Sequence, residues 1–220
     1  TRRPDTRALR EQTIRDFGAQ WTRYPGNDGY YASVTMLADI LAPFATPDEF
    51  RGARIAEIGS GSGRIVNMLL DAGESHIVAL EPSAAIEALR SNVSKHTGRV
   101  TLVHAVGEQL PLEAFDAVLS IGVLHHIADP APVMRRAFTA LKPGGRFIAW
   151  IYGREGNRLY LAVATPLRWM TRRLPDFVLA ALAHALVPPL SLYTWLCRFL
   201  PLPMRDYMRN VIRRYGWRHR

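Results

Sequence analysis

The chain is poor in cysteine: Cys197 is the only one in 220 residues. No disulfide can close within it, which agrees with a reducing, cytoplasmic setting. The opening Thr1-Arg2-Arg3-Pro4-Asp5-Thr6-Arg7 leads into no apolar h-region, so no secretory signal is visible. A chain that starts on Thr1 reads as a processed or trimmed form. There is no internal repeat and no low-complexity tract, which excludes solenoid architectures. Acidic residues are scarce in one region only. Residues 151–220 hold 12 Arg against Glu155, Asp176 and Asp206, whereas residues 1–150 carry 16 basic and 16 acidic side chains. The whole net charge of +9 therefore sits in the last third. Within that third, Phe177 to Cys197 contains no Asp, Glu, Lys or Arg.

What is present is concentrated around Arg54-Ile55-Ala56-Glu57-Ile58-Gly59-Ser60-Gly61-Ser62-Gly63-Arg64. An apolar strand runs into three alternate glycines, and a helical pattern (Ile65, Val66, Met68, Leu69, Leu70) follows at once. Glycines at such a turn let the backbone approach a ligand closely. The helix N-terminus offers free N–H groups to a carboxylate or a phosphate. The spacing is not that of a dinucleotide turn, because the third glycine comes one residue early and Arg64 stands in its place. It is not a Walker loop, since no Lys follows. A second apolar run, His76 to Leu80, ends in Glu81-Pro82-Ser83. A carboxylate about 20 residues past a glycine turn can accept from both ribose hydroxyls. Further strands are expected at Val100 to His104, Phe115 to Ile121 and Arg146 to Tyr152, the last entered through Leu141-Lys142-Pro143-Gly144-Gly145.

Taken in order over roughly residues 50–153, these motifs resemble the class I S-adenosylmethionine-dependent methyltransferases, of the small-molecule type. The resemblance implies an α/β, Rossmann-like, doubly wound and mostly parallel sheet with helices on both faces. It also implies S-adenosyl-L-methionine as cofactor. The residues it places on that cofactor are Glu57, Gly59, Ser60, Gly61, Gly63, Glu81, Pro82, Val106, Gly107, Glu108, Ser120 and Ile121. Where the family often has an Asp near the adenine amine, this chain has Val106, which leaves the backbone of Val106 and Gly107 for that contact. No Asn/Asp-Pro-Pro-aromatic turn follows the fourth strand and no carboxylate cluster closes it, which argues against base-amine methylation and against a metal. Cys197 lies far from the core motifs, which argues against cytosine C5 chemistry. O-, N- or C-methylation of a small-molecule, lipid or glycan acceptor remains.

His125 and His126 are the titratable pair nearest the expected methyl, suited to taking a proton at neutral pH. Packing or capping of the loop is the competing role. The organisation expected is an aromatic helical lid over residues 1–50 (Phe17, Trp21, Tyr24, Tyr30, Tyr31), a cofactor core over 51–153 and a basic, apolar helical appendage over 154–220. The appendage is expected as two helices, Pro175 to Val187 and Leu190 to Leu200, broken at Pro188-Pro189, then a basic helix from Tyr207 to Tyr215. The last two strands of the class I fold are not legible after Tyr152, which favours a chain cut before them. The appendage has three readings: an insert over the substrate side, a peripheral membrane contact through residues 168–215, or a span. A non-catalytic protein binding RNA or membrane through the same third is the alternative function. The aliphatic runs between the arginines argue against nucleic acid.

Overall fold

The computed structural model describes residues 6–73, 76–96, 98–112, 114–153, 158–210 and 212–214. Residues 1–5, 154–157 and 215, which carry parts of the expectations above, lie outside that set.

Five strands form one sheet: β1 (Arg54–Ile58), β2 (His76–Leu80), β3 (Val100–Val103), β4 (Phe115–Ile121) and β5 (Leu141–Trp150). All neighbours are parallel, in the order β3-β2-β1-β4-β5. The central strands are continuous apolar runs because both faces are covered. On one face Ile55, Ile77, Ala117 and Leu119 pack with α2 (Val34–Leu41), α3 (Arg64–Ala72) and α4 (Ile86–Asn92). On the other, Ala56, Val78 and Val118 pack with Val133, Ala137 and Ala140 of α5 (Ala131–Ala140). The winding reverses between β1 and β4, and a crevice opens there at the carboxyl ends of the strands.

Two compact units are distinguished: Thr1–Asp28 with Ala32–Tyr152, and Gly29–Tyr31 with Gly153–Arg220. The first includes the long helix α1 (Thr6–Arg23), so most of the N-terminal segment belongs to the same unit as the sheet. The second contains α6 (Arg158–Thr171), α7 (Asp176–Leu196) and α8 (Arg205–Asn210).

Two expectations are corrected. The apolar segment is one helix, α7, with Pro188 and Pro189 inside it. Each proline lacks the N–H donor and its ring crowds the carbonyl four residues back, while its fixed φ remains helical. The carbonyls of His184 and Ala185, four residues back, lose their helical donors, and the helix runs on. The basic helix ends early, as α8 and then a 3₁₀ turn at Ile212–Arg214. Among the described residues no strand follows Trp150.

Candidate active site

The glycine turn joins β1 to α3. Gly59, Gly61 and Gly63 have φ of +77°, +53° and +85°, a region costly for any residue with a Cβ. The first two face other segments that close over the turn. A Cβ at Gly59 would lie 2.6 Å from Val123 Cγ2, and one at Gly61 would lie 3.2 Å from Trp21 Nε1. The third serves packing: a Cβ at Gly63 would lie 2.5 Å from Leu89 Cδ1 on α4. The carbonyl of Ser62 accepts from Asn27 Nδ2 and from Asn92 Nδ2, each at 2.8 Å, which pins the turn on both sides.

Glu81, just past β2, is buried and braces the same turn. Its Oε2 accepts the Gly61 N–H at 2.7 Å, and its Oε1 accepts from Ser83 N–H at 2.9 Å and Ser83 Oγ at 2.5 Å. A carboxylate has about four acceptor sites, so capacity remains for a ligand hydroxyl. Glu57, on β1, is 2 % exposed, and its Oε2 has no hydrogen-bond partner. Burial pushes its carboxyl up to about 7 against a hydrogen bond from Ser60 and the nearby Arg64 charge, both of which favour the anion.

A cavity of ≈ 190 Å³ lies over these groups. It is lined by ten of the twelve expected cofactor residues: Glu57, Gly59, Ser60, Gly61, Glu81, Pro82, Val106, Gly107, Glu108 and Ile121. Gly63 and Ser120 do not line it. Gly63 faces Leu89, and Ser120 is fully buried within β4 with its Oγ unpaired. Its opposite wall is α1, through Arg10, Thr13, Ile14, Phe17 and Trp21. Phe17 and Trp21 were legible as part of an aromatic stretch. Arg10, Thr13 and Ile14 were not, although they share the helical spacing of those aromatics. Arg10 pairs with Glu108 at 3.1 Å, joining α1 to the far rim. Gly18, on the same helix, meets the Glu81 loop so closely that a Cβ there would lie 2.9 Å from Ser83 Cβ.

The two histidines, on a 3₁₀ turn at Leu124–His126, separate in role. His126 lines the cavity and its ring lies 4.6 Å from that of Phe17. His125 does not line it, and its ring sits edge-on to Tyr152 at 4.7 Å. Their centroids are 4.1 Å apart. Burial lowers the pKa of both, and in His126 the positive charge of His125 lowers it further. Among the described residues no three metal-ligating side chains come together.

Residues 56–149 match the family described as methyltransferase domain. The chain is 31% identical over 162 residues to a ubiquinone biosynthesis O-methyltransferase of Ruegeria pomeroyi, covering 67% of this chain and 61% of that protein. It is 30% identical over 112 residues to a tRNA carboxymethyltransferase of Shewanella piezotolerans, covering 49% of this chain and 33% of that one. In fold it is similar to a solved chain from the complex of a Haloferax volcanii methyltransferase activator with a methyltransferase (TM-score 0.50, 24% identity, 61% and 58% covered). The chain spans about half to three fifths of the length of the ubiquinone relatives it matches, from 49% to 61%.

Proposed function

We infer that this chain, which belongs to the class I S-adenosylmethionine-dependent methyltransferases through its core at residues 56–149, transfers a methyl group to an oxygen of a small acceptor. The observation that carries this reading is the convergence of the glycine turn, Glu81 and Glu57 on one cavity at the strand ends. These residues suit S-adenosylmethionine. The backbone near Gly59 and Gly61 carries no side chain. Glu81 keeps acceptor capacity for a ribose hydroxyl. Glu57 holds a buried carboxyl oxygen without a partner, which a cationic amine would satisfy. Val106, Gly107 and Val133 line the same cavity, and the backbone of the first two would serve the adenine side. Gly63 and Ser120 support the wall from behind.

When bound, the cofactor supplies an electrophilic methyl on a sulfonium. The chain's own residues do the rest. Phe17 and Trp21 line the cavity from α1 with aromatic surface that would exclude water around the cation. His126, neutral at pH 7 because burial lowers its pKa, takes the acceptor's hydroxyl proton on an imidazole nitrogen and later releases it to solvent. His125 orients His126 by ring contact and is held in turn by Tyr152.

An oxygen acceptor is favoured by the relatives named for ubiquinone biosynthesis O-methylation, and a lipid-borne acceptor would suit the apolar, arginine-rich second unit. A cytoplasmic protein with that unit against a membrane is the corresponding location. The non-catalytic reading finds no support in a cavity this well provided with ligand groups. Titration calorimetry with S-adenosylmethionine tests the reading: saturable binding is expected, weakened by Glu81→Gln. Absence of binding to the folded chain overturns it. Labelled methyl transfer to a phenol or catechol panel, with tRNA as the rival acceptor, then identifies the acceptor class.

A further inference from the structure

Helix α7 is apolar around most of its circumference, with His184, Ser191 and Thr194 on one side. From Phe177 to Leu196 it offers 20 residues without a charge, and only 6 % of its most apolar window is buried. Ala181 to Leu186 are exposed in succession, which covers more than one full turn. The C-terminal end is held. Tyr193 Oη donates to the Pro203 carbonyl at 2.7 Å, Arg205 Nε donates to the Cys197 carbonyl at 3.1 Å, and Thr194 and Cys197 are buried. Trp169, Phe177 and Leu186 are 70 %, 74 % and 61 % exposed.

A protein partner covers one face of a helix and leaves a polar rim. A helix apolar around most of its circumference fits hydrocarbon, with its narrow polar side turned to the headgroups. The ends of α7 fit the surface of such a phase. Arg168, Arg172 and Arg173 precede it, and Arg198, Arg205, Arg209, Arg213 and Arg214 follow. Arginine at this density complements anionic headgroups.

The same arginines decide the depth. A crossing helix would carry one of the two arginine groups through the bilayer, against the bias that keeps such charges on one side. Midway, Pro188 and Pro189 leave the carbonyls of His184 and Ala185 without their helical donors. His184 adds a polar ring there, its Nδ1 2.7 Å from the Ala180 carbonyl. The centre of a bilayer penalises such groups, whereas the boundary beneath the headgroups supplies water. At about 1.5 Å per residue, the helix measures roughly 30 Å along that boundary.

We propose that α7 embeds in one leaflet of an anionic bilayer without crossing it, its two arginine-flanked ends at the same surface. This sharpens the membrane part of the function above and is independent of methyl transfer.

The test uses the full chain with vesicles of phosphatidylglycerol and phosphatidylcholine, against phosphatidylcholine alone. Binding is expected to be at least about tenfold tighter to the anionic vesicles, reduced by salt yet not abolished. Lipids brominated near the headgroup should quench tryptophan emission more than lipids brominated near the chain ends, a readout that needs no variant. In a Cys197→Ala background, Arg172→Cys and Arg209→Cys should both react with an impermeant maleimide added outside. Leu182→Glu with Leu186→Glu should weaken vesicle binding about tenfold or more, with S-adenosylmethionine affinity unchanged. Calorimetry on the same preparation keeps a failure of membrane binding separate from a failure of the methyltransferase reading. No vesicle binding overturns the proposal, whether the chain is then found as a dimer or as a monomer. So do binding erased by salt without quenching, protection of Arg209→Cys alone, and displacement from vesicles by RNA.

Discussion

At the scale of single residues, Glu57 and His126 set opposite pH behaviour. The Glu57 carboxyl titrates at about 7 in the folded chain against an ordinary value of 4.5, because burial penalises its anion. The folded state therefore holds a proton that the unfolded state has lost between those values. The corresponding stability is full below 4.5 and is lost as pH rises through 7. At pH 8 the strain amounts to roughly 3–4 kcal/mol at most, at ~1.4 kcal/mol per unit. Glu57→Gln is expected to raise the denaturant midpoint at pH 8 and to change it little near pH 5. Equal effects at both pH values would show that the carboxyl ionises freely. His126 shifts downward, so its neutral form is favoured and its capacity as a base persists below pH 6.5. Turnover should keep its plateau through neutral pH and fall only as pH drops through that lowered value. His126→Gln should cost about 10²- to 10⁴-fold in kcat, while His125→Gln, which leaves the cavity wall intact, should cost far less. Equal losses would put the pair, rather than His126, at the chemistry. The sequence marked both histidines alike, because their difference lies in which way a 3₁₀ turn points two adjacent rings.

Among elements, α1 is where the site depends on packing. It touches the Glu81 loop at Gly18 and the glycine turn at Trp21. Gly18→Ala improves intrinsic helix propensity by about 1 kcal/mol, yet its Cβ has no room beside Ser83. The added methyl must move α1 or Ser83, whose hydroxyl holds Glu81 Oε1. S-adenosylmethionine affinity is expected to fall about tenfold while far-UV helicity is kept, a cost of ~1.4 kcal/mol. An unchanged affinity in calorimetry would mean that α1 can rise from the loop freely. The strands were legible because buried parallel strands are short apolar runs ended by Gly, Glu-Pro or a tight turn. The wall supplied by α1 was legible only in its aromatics, since Arg10 and Thr13 look like ordinary surface residues until the helix is placed. The continuity of α7 was hidden for another reason. Proline reads as a stop in sequence, but α7 continues through Pro188 and Pro189 despite two lost carbonyl donors and the crowding of the rings.

For the whole molecule, charge and compactness divide the chain at nearly the same place. The excess of nine positive charges begins after residue 150, and the compact units part between Tyr152 and Gly153. Every residue lining the cavity belongs to the first unit. A ligand that binds one folded unit stabilises that unit by mass action, by about 2.7 kcal/mol at a hundredfold excess over Kd. With anionic vesicles present, calorimetric unfolding is therefore expected to resolve two transitions. S-adenosylmethionine should raise the one belonging to the sheet and leave the other in place. Anionic vesicles should act on the other, because the second unit has little buried apolar surface of its own and α7 exposes most of its side chains. A single transition moved by both ligands would show that the two units unfold as one, and α7 would then owe its order to the sheet rather than to a surface outside the chain.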